Sequence, residues 1–187
     1  MSMSTSITLG NASYGFREYG LRQFFEASKK IGITEVEIDS GWLVGEAQNA
    51  ICVDAGAEEI KRVRDLAAEI GVNIAVLGSG AAVALEGDVA TDLSANIKKV
   101  IDLADALDAR VIRVFTEHDF THSQHYTLPA ERVSDDLYET LAVAFNSIGE
   151  YAGQKSVRIA IENHGGTSAT GKKLKKLLDM VTFDSVG

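Results

Sequence analysis

Cysteine, proline and tryptophan each occur once in this chain, at Cys52, Pro129 and Trp42. A lone cysteine excludes an intramolecular disulfide, fits a reducing cytoplasmic setting and reads as a packed or loop thiol. Long apolar runs are missing too, since nowhere does the sequence approach the ~18 apolar residues of a membrane span. The opening MSMSTSITLG lacks a basic stretch followed by an apolar one, so neither secretion nor membrane insertion is expected. Positive charge is in deficit: 18 Lys and Arg stand against 27 Asp and Glu, a net charge of −9. Nucleic-acid binding takes most of its affinity from cations on phosphates, so no nucleic-acid partner is expected.

What the chain does have is repetition of pattern. With 187 residues, 45% hydrophobic and 24% charged, it suits a single domain spanning 1–187. Short β-rich runs alternate with longer segments of helical period, the signature of parallel βα units. The strand candidates are Ile7–Tyr14, Thr34–Asp39, Asn73–Gly78, Arg110–Thr116 and Val157–Glu162. Between them apolar residues recur at helical spacing, as in Leu21, Phe24, Phe25, Ser28 and Ile31, or Leu137, Leu141, Phe145 and Ile148. Gly32 and Gly71 stand where two helices pass into strands and suit a left-handed helix cap. The segment Glu117–Glu131 is long, polar and holds the one proline, and such loops are commonly functional or disordered. Five units suffice for an open sheet and fall short of a closed eight-unit barrel, so length alone favours the open form.

Residues 159–176, IAIENHGGTSATGKKLKK, admit two parsings. GTSATGKK comes within one residue of a phosphate loop, but Lys173 stands where a magnesium-binding hydroxyl is required. Thr170 then reads as a helix cap, with Lys172 and Lys173 on a solvated face. Gly78-Ser79-Gly80 begins like a dinucleotide-binding turn, yet Val83 takes the third glycine's place. In the other parsing IAIENHGG is a strand that ends on a carboxylate, Glu162. Burying such a group is costly unless it is paired or bound to a metal. His118, His122 and His125 follow the fourth strand and His164 the fifth, so both sets belong to loops on the C-terminal side of the sheet.

VRIAIENHGG, with the opening GNASYGFR, the passage FFEASKKIGITEVEI and the strand VIRVF, resembles the xylose isomerase-like TIM barrels, a family of sugar and sugar-phosphate isomerases and epimerases. The resemblance implies an α/β fold of parallel βα repeats of TIM-barrel type, here an incomplete barrel of about five strands. It implies Glu162 as a divalent-metal ligand and acid/base group, with His164 catalytic and Asn163 binding substrate beside it. Further ligands in that family come from strands six to eight. The implied cofactor is Mn²⁺, Mg²⁺ or Co²⁺, with Zn²⁺ as an alternative, and the chemistry is proton transfer next to a carbonyl. A small carbohydrate substrate is implied, and open sheet edges invite a homo-oligomer, a dimer or larger, that covers them.

Other candidates are softer. His118, two residues past its strand, and Trp42 are taken as substrate-binding residues, although a packed loop aromatic explains Trp42 as well. His122 and His125 read as solvated. Glu37 in EVEI faces either the interior or the surface. Two alternative functions stay open: a non-catalytic truncated barrel that oligomerises, and an apurinic endonuclease-like enzyme. The second is opposed by the negative charge and by the third strand end, Leu77-Gly78-Ser79, which offers no histidine.

Overall fold

A helix that is apolar along one stripe must bury that stripe, and here most do so against a single parallel sheet, the last packing on the helix before it. The structure, a computed structural model, describes residues 7–41, 49–82, 88–116 and 133–187. Its strands are β1 (Gly10–Ala12), β2 (Glu35–Gly41), β3 (Ala50–Cys52), β4 (Asn73–Ala82), β5 (Val111–Phe115) and β6 (Arg158–Ile161). Its helices are α1 (Leu21–Lys30), α2 (Ala57–Ile70), α3 (Asp88–Leu107), α4 (Asp135–Gln154) and α5 (Gly171–Leu178).

The six strands are parallel and run in the order β1-β2-β4-β5-β6, with β3 paired to β2. This is the fold of a TIM barrel that does not close. β1 pairs with Glu35–Glu37 and β3 with Asp39–Gly41, so the two short strands share one edge of β2 while β4 takes the other. Among the described residues the sheet thus holds six strands, in keeping with the incomplete barrel of about five expected, the short β3 being the addition. The extra strand holds Cys52, whose thiol is half-buried. Past α5 the chain returns to the sheet: Ile159 N–H donates to Ser185 O (2.6 Å) and Ile161 N–H to Gly187 O (2.8 Å), beside β6.

The core lies between sheet and helices. Phe24, Phe25, Val63, Ile97, Ile101, Leu141, Phe145 and Ile148 have no exposed surface and pack with Ile38, Leu77, Ile112, Val114 and Ile159 of the strands. Each such side chain contributes roughly 1.5–3 kcal/mol when withdrawn from water.

Helices pass to strands through residues in the left-handed region. Gly32 (φ 82°) and Gly71 (φ 79°) do so as expected, and Asp108 (φ 62°) and Ser156 (φ 56°) take the same role after α3 and α4. Ser134 caps α4, its hydroxyl accepting Leu137 N–H at 3.3 Å, and Asp135 and Asp136 sit in the first turn, where the helix dipole favours negative charge. Among the described residues, no helix is long and apolar enough to cross a membrane.

Candidate active site

Strand alternation sorts β2 into two sets. Val36, Ile38 and Ser40 are buried, while Glu35, Glu37, Asp39 and Gly41 lie half-buried on the opposite side. β5 repeats this, with Ile112 and Val114 buried and Val111, Arg113 and Phe115 facing the other way. Register then aligns Asp39, Gly78, Arg113 and Ala160 in one row across four neighbouring strands. The polar face of EVEIDS thus meets Arg113 from a segment over 70 residues away in sequence.

Arg113 binds three carboxylates at once. Its Nε donates to Glu37 Oε1 (2.8 Å), its Nη1 to Glu162 Oε2 (2.8 Å) and its Nη2 to Asp39 Oδ1 (3.2 Å). Such reach across β4 is possible because Gly78 has no side chain. A Cβ there would lie 2.7 Å from Arg113 Nη2 and 2.8 Å from Glu37 Oε1, and closer still to Asp39 Oδ1. On the other flank the register neighbour is Ala160, also small. Burial works against the charged guanidinium, but Glu37 above all, then Glu162 and Asp39, outweigh it, so its pKa stands above the ordinary arginine value.

Glu162 follows β6, its N–H donating to Val114 O at 2.9 Å. Its second oxygen, Oε1, lies 3.2 Å from His164 Nδ1. The turn that presents both residues is tied by Ser168, which is 1% exposed. The Ser168 hydroxyl accepts His164 N–H (3.2 Å) and the Thr116 hydroxyl (3.2 Å), and lies 3.1 Å from both Glu162 O and Gly165 O. Gly165 (φ 117°) and Gly166 (φ 48°) occupy the region glycine favours, which accounts for both glycines of ENHGG. His164 packs edge-on against Phe115, ring centroids 4.8 Å apart.

These groups line a cleft of about 630 Å³ together with Ala12, Tyr14, Ser40 and Ser79. Of the expected site residues, Glu162 and His164 are brought together in its wall. Asn163 is exposed between them and is not part of that wall. Trp42, His118, His122, His125 and Pro129 lie outside the described residues. Glu37, left open between interior and surface, faces the cleft.

Arg113, Asp39, Gly78 and Ser168 were missed. A visible signal existed only for Arg113, a charge at an alternate position of an otherwise apolar strand. The phosphate-loop parsing has no support in the geometry: Lys173 Nζ donates to Gly166 O at 3.0 Å, and Thr170 caps α5 by accepting Lys173 N–H at 3.3 Å. Gly78-Ser79-Gly80 lies within β4 rather than in a turn before a helix.

The model of the xylose isomerase-like TIM barrel family matches residues 25–187. The chain belongs to that family. Solved structures agree on the fold of this xylose isomerase-like chain. A xylose isomerase-like TIM barrel protein from Mycobacterium smegmatis in complex with magnesium is 11% identical with a TM-score of 0.71, and the match covers 100% of this chain and 65% of that one. A D-psicose 3-epimerase, solved in the presence of D-fructose, is 15% identical with a TM-score of 0.72, over 96% of this chain and 62% of that one. A D-tagatose 3-epimerase-like protein is 17% identical with a TM-score of 0.66, over 97% and 63%. The chain therefore spans less than two thirds of the length of these relatives. No curated protein matches it.

Proposed function

We propose that this chain carries part of the active site of a divalent-metal-dependent sugar isomerase or epimerase that moves a proton next to a carbonyl. The observation that carries the reading is the Glu162–His164 pair at the C-terminal end of β6, 3.2 Å apart in the wall of a cleft. Catalytic groups of barrel enzymes come from the C-terminal ends of strands. Epimerases among the structural neighbours, and a magnesium complex, support the same class.

A carboxylate offers about four lone-pair positions, and Glu162 spends one on Arg113 and faces His164 with its other oxygen. Glu162 thus fits as one hard oxygen ligand of Mn²⁺, Mg²⁺ or Co²⁺, with Zn²⁺ as an alternative. The described residues contain no group of three potential ligands, so they make only part of such a site. When bound, the cation supplies polarisation of the substrate's carbonyl and hydroxyl oxygens. The chain's own part is orientation and proton handling. Arg113 holds Oε2 and keeps Oε1 turned to the cleft, where it can take a proton from carbon and exchange it with His164. Phe115 fixes the imidazole ring from its edge.

Asn163, His118 and Trp42 belong to the same proposal as substrate contacts. So does a homo-oligomer, a dimer or larger, covering the open sheet edges, with sedimentation as its check; a strictly monomeric mass would remove that part.

Calorimetric titration of Mn²⁺ into the protein and its Glu162→Gln variant tests the reading. Micromolar binding lost in the variant is the expected result. Binding that survives the substitution unchanged removes Glu162 from the metal site, and no binding in either protein overturns metal dependence for this chain.

A further inference from the structure

One oxygen from each of three carboxylates in the cleft is committed to a single guanidinium. Arg113 donates from Nε to Glu37 Oε1, from Nη1 to Glu162 Oε2 and from Nη2 to Asp39 Oδ1, at 2.8, 2.8 and 3.2 Å. Gly78 keeps the floor clear, so that the fork lies down among the protein's own carboxylates. Arg113 is thus an internal counter-charge. The other guanidinium near the cleft, that of Arg17, stacks over the Tyr14 ring 4.1 Å from its centre. Among the described residues the ion pairs of Glu37 and Asp39 are with Arg113 and not with Arg17.

The second oxygens have their own surroundings. Asp39 Oδ2 accepts the hydroxyl of Ser13, a residue with no exposed surface, at 3.2 Å. Glu162 Oε1 lies 3.2 Å from His164 Nδ1 in the cleft wall. While the guanidinium stays in place, each carboxylate has only one oxygen clear of it. The fork also holds the three groups apart, each on a different nitrogen. Among the described residues no three potential metal ligands are gathered around one point.

We infer that Arg113 is a selectivity-determining residue of the metal site: by withholding one oxygen of each carboxylate it confines the cleft to a small cation bound through single oxygens and discriminates against Ca²⁺. The inference deepens the metal-dependent reading above and rests on it. Ca²⁺ takes about six to eight oxygens and often both oxygens of one carboxylate, whereas a small octahedral cation is satisfied by one or two carboxylates and water. Without the guanidinium, Glu37, Asp39 and Glu162 each regain a second oxygen on the same floor, which favours the larger ion. Repulsion by the arginine's charge weakens all divalent cations alike. Withheld oxygens weaken Ca²⁺ most, so the ratio of affinities for two ions of equal charge separates the two effects.

The test is calorimetric titration of Mn²⁺ and, separately, Ca²⁺ into the full chain, Arg113→Met and Arg113→Lys, each variant first checked by circular dichroism. The parent is expected to prefer Mn²⁺ by at least about tenfold, and Arg113→Met to reduce that preference at least about fivefold, chiefly by tightening Ca²⁺. Arg113→Lys keeps the charge but not the planar fork, and its preference is expected to fall between the two. If Arg113→Met fails to fold, the lysine variant decides. A preference that stays at the parent's value in every variant that folds overturns the inference and leaves metal dependence standing, as does a parent that takes Ca²⁺ as tightly as Mn²⁺. Ca²⁺ binding gained in Arg113→Met, with no Mn²⁺ binding by the parent, supports the exclusion of Ca²⁺ and overturns metal dependence for this chain. No binding of either ion by parent or variants overturns both.

Discussion

One side of the sheet carries Val36, Ile38, Ile112, Val114 and Ile159, all almost fully buried under helices. The other carries Glu37, Asp39, Arg113 and Glu162, drawn from the same strands or the residue just past one, and these remain a fifth to a third exposed. Two-residue alternation lets one strand serve both sides. The first side is held by area withdrawn from water, which tolerates changes of shape if volume is kept. The second is held by a register of charges, in which removing one partner strands the others. Fold and candidate site are thus written on alternate residues and should respond differently to substitution.

The largest effect is expected on the apolar side. Ile112→Ala in the middle of β5 leaves a cavity under α3 and α4 and should cost about 2–5 kcal/mol in urea unfolding. Next comes Arg113→Met on the facing side of the same strand. Three carboxylates then share a floor without a cation, and a loss of roughly 2–3 kcal/mol is expected, below that of a fully buried pair because the cluster is partly solvated. A variant as stable as the parent would falsify the role of internal counter-charge.

Gly78→Ala sharpens the comparison, since it adds a methyl group without altering any charge. It should cost about 1–3 kcal/mol by pushing the guanidinium off the floor. Combined with Arg113→Met it should cost less than the sum of the two, because the methyl then meets the Glu37 and Asp39 carboxylates but no longer the guanidinium. Simple additivity would mean that Gly78 and Arg113 are not coupled.

The smallest effect belongs to the solvated helix surface, where Arg62 donates to Glu59 at 2.6 and 2.8 Å. The hydrogen bond from Arg62 is the main influence holding the Glu59 carboxyl below its ordinary 4.5. A depressed carboxylate contributes stability above its unfolded value and loses it as pH falls through the folded one. Arg62→Ala should therefore shift the midpoint barely at pH 7, and the shift should vanish in acid. A deficit that grows on acidification would reverse this sign.

Much of the fold was legible because its signals are local. Helical spacing in LRQFFEASKK, glycines after two helices and the β-rich runs each report on a few neighbouring residues. β3 escaped because three residues pairing with half an edge leave no periodicity to read. Asp108 and Ser156 escaped as helix stops because neither is glycine, although short polar residues tolerate the left-handed region better than apolar ones.

Of the site, the sequence by itself determined the carboxylate and imidazole of ENHGG, since a charge closing an apolar strand is a local anomaly and the glycines beside it mark a special turn. Only the tertiary structure decided that Glu37, Asp39 and Glu162 converge on Arg113, that Gly78 clears the ground between them, and that Ser168 ties the turn. Those facts depend on strand order and register, which bring residues 49 to 76 positions apart into contact. Local periodicity tells which side of its own strand a residue occupies; which strand lies next to it is set by the packing of the whole sheet.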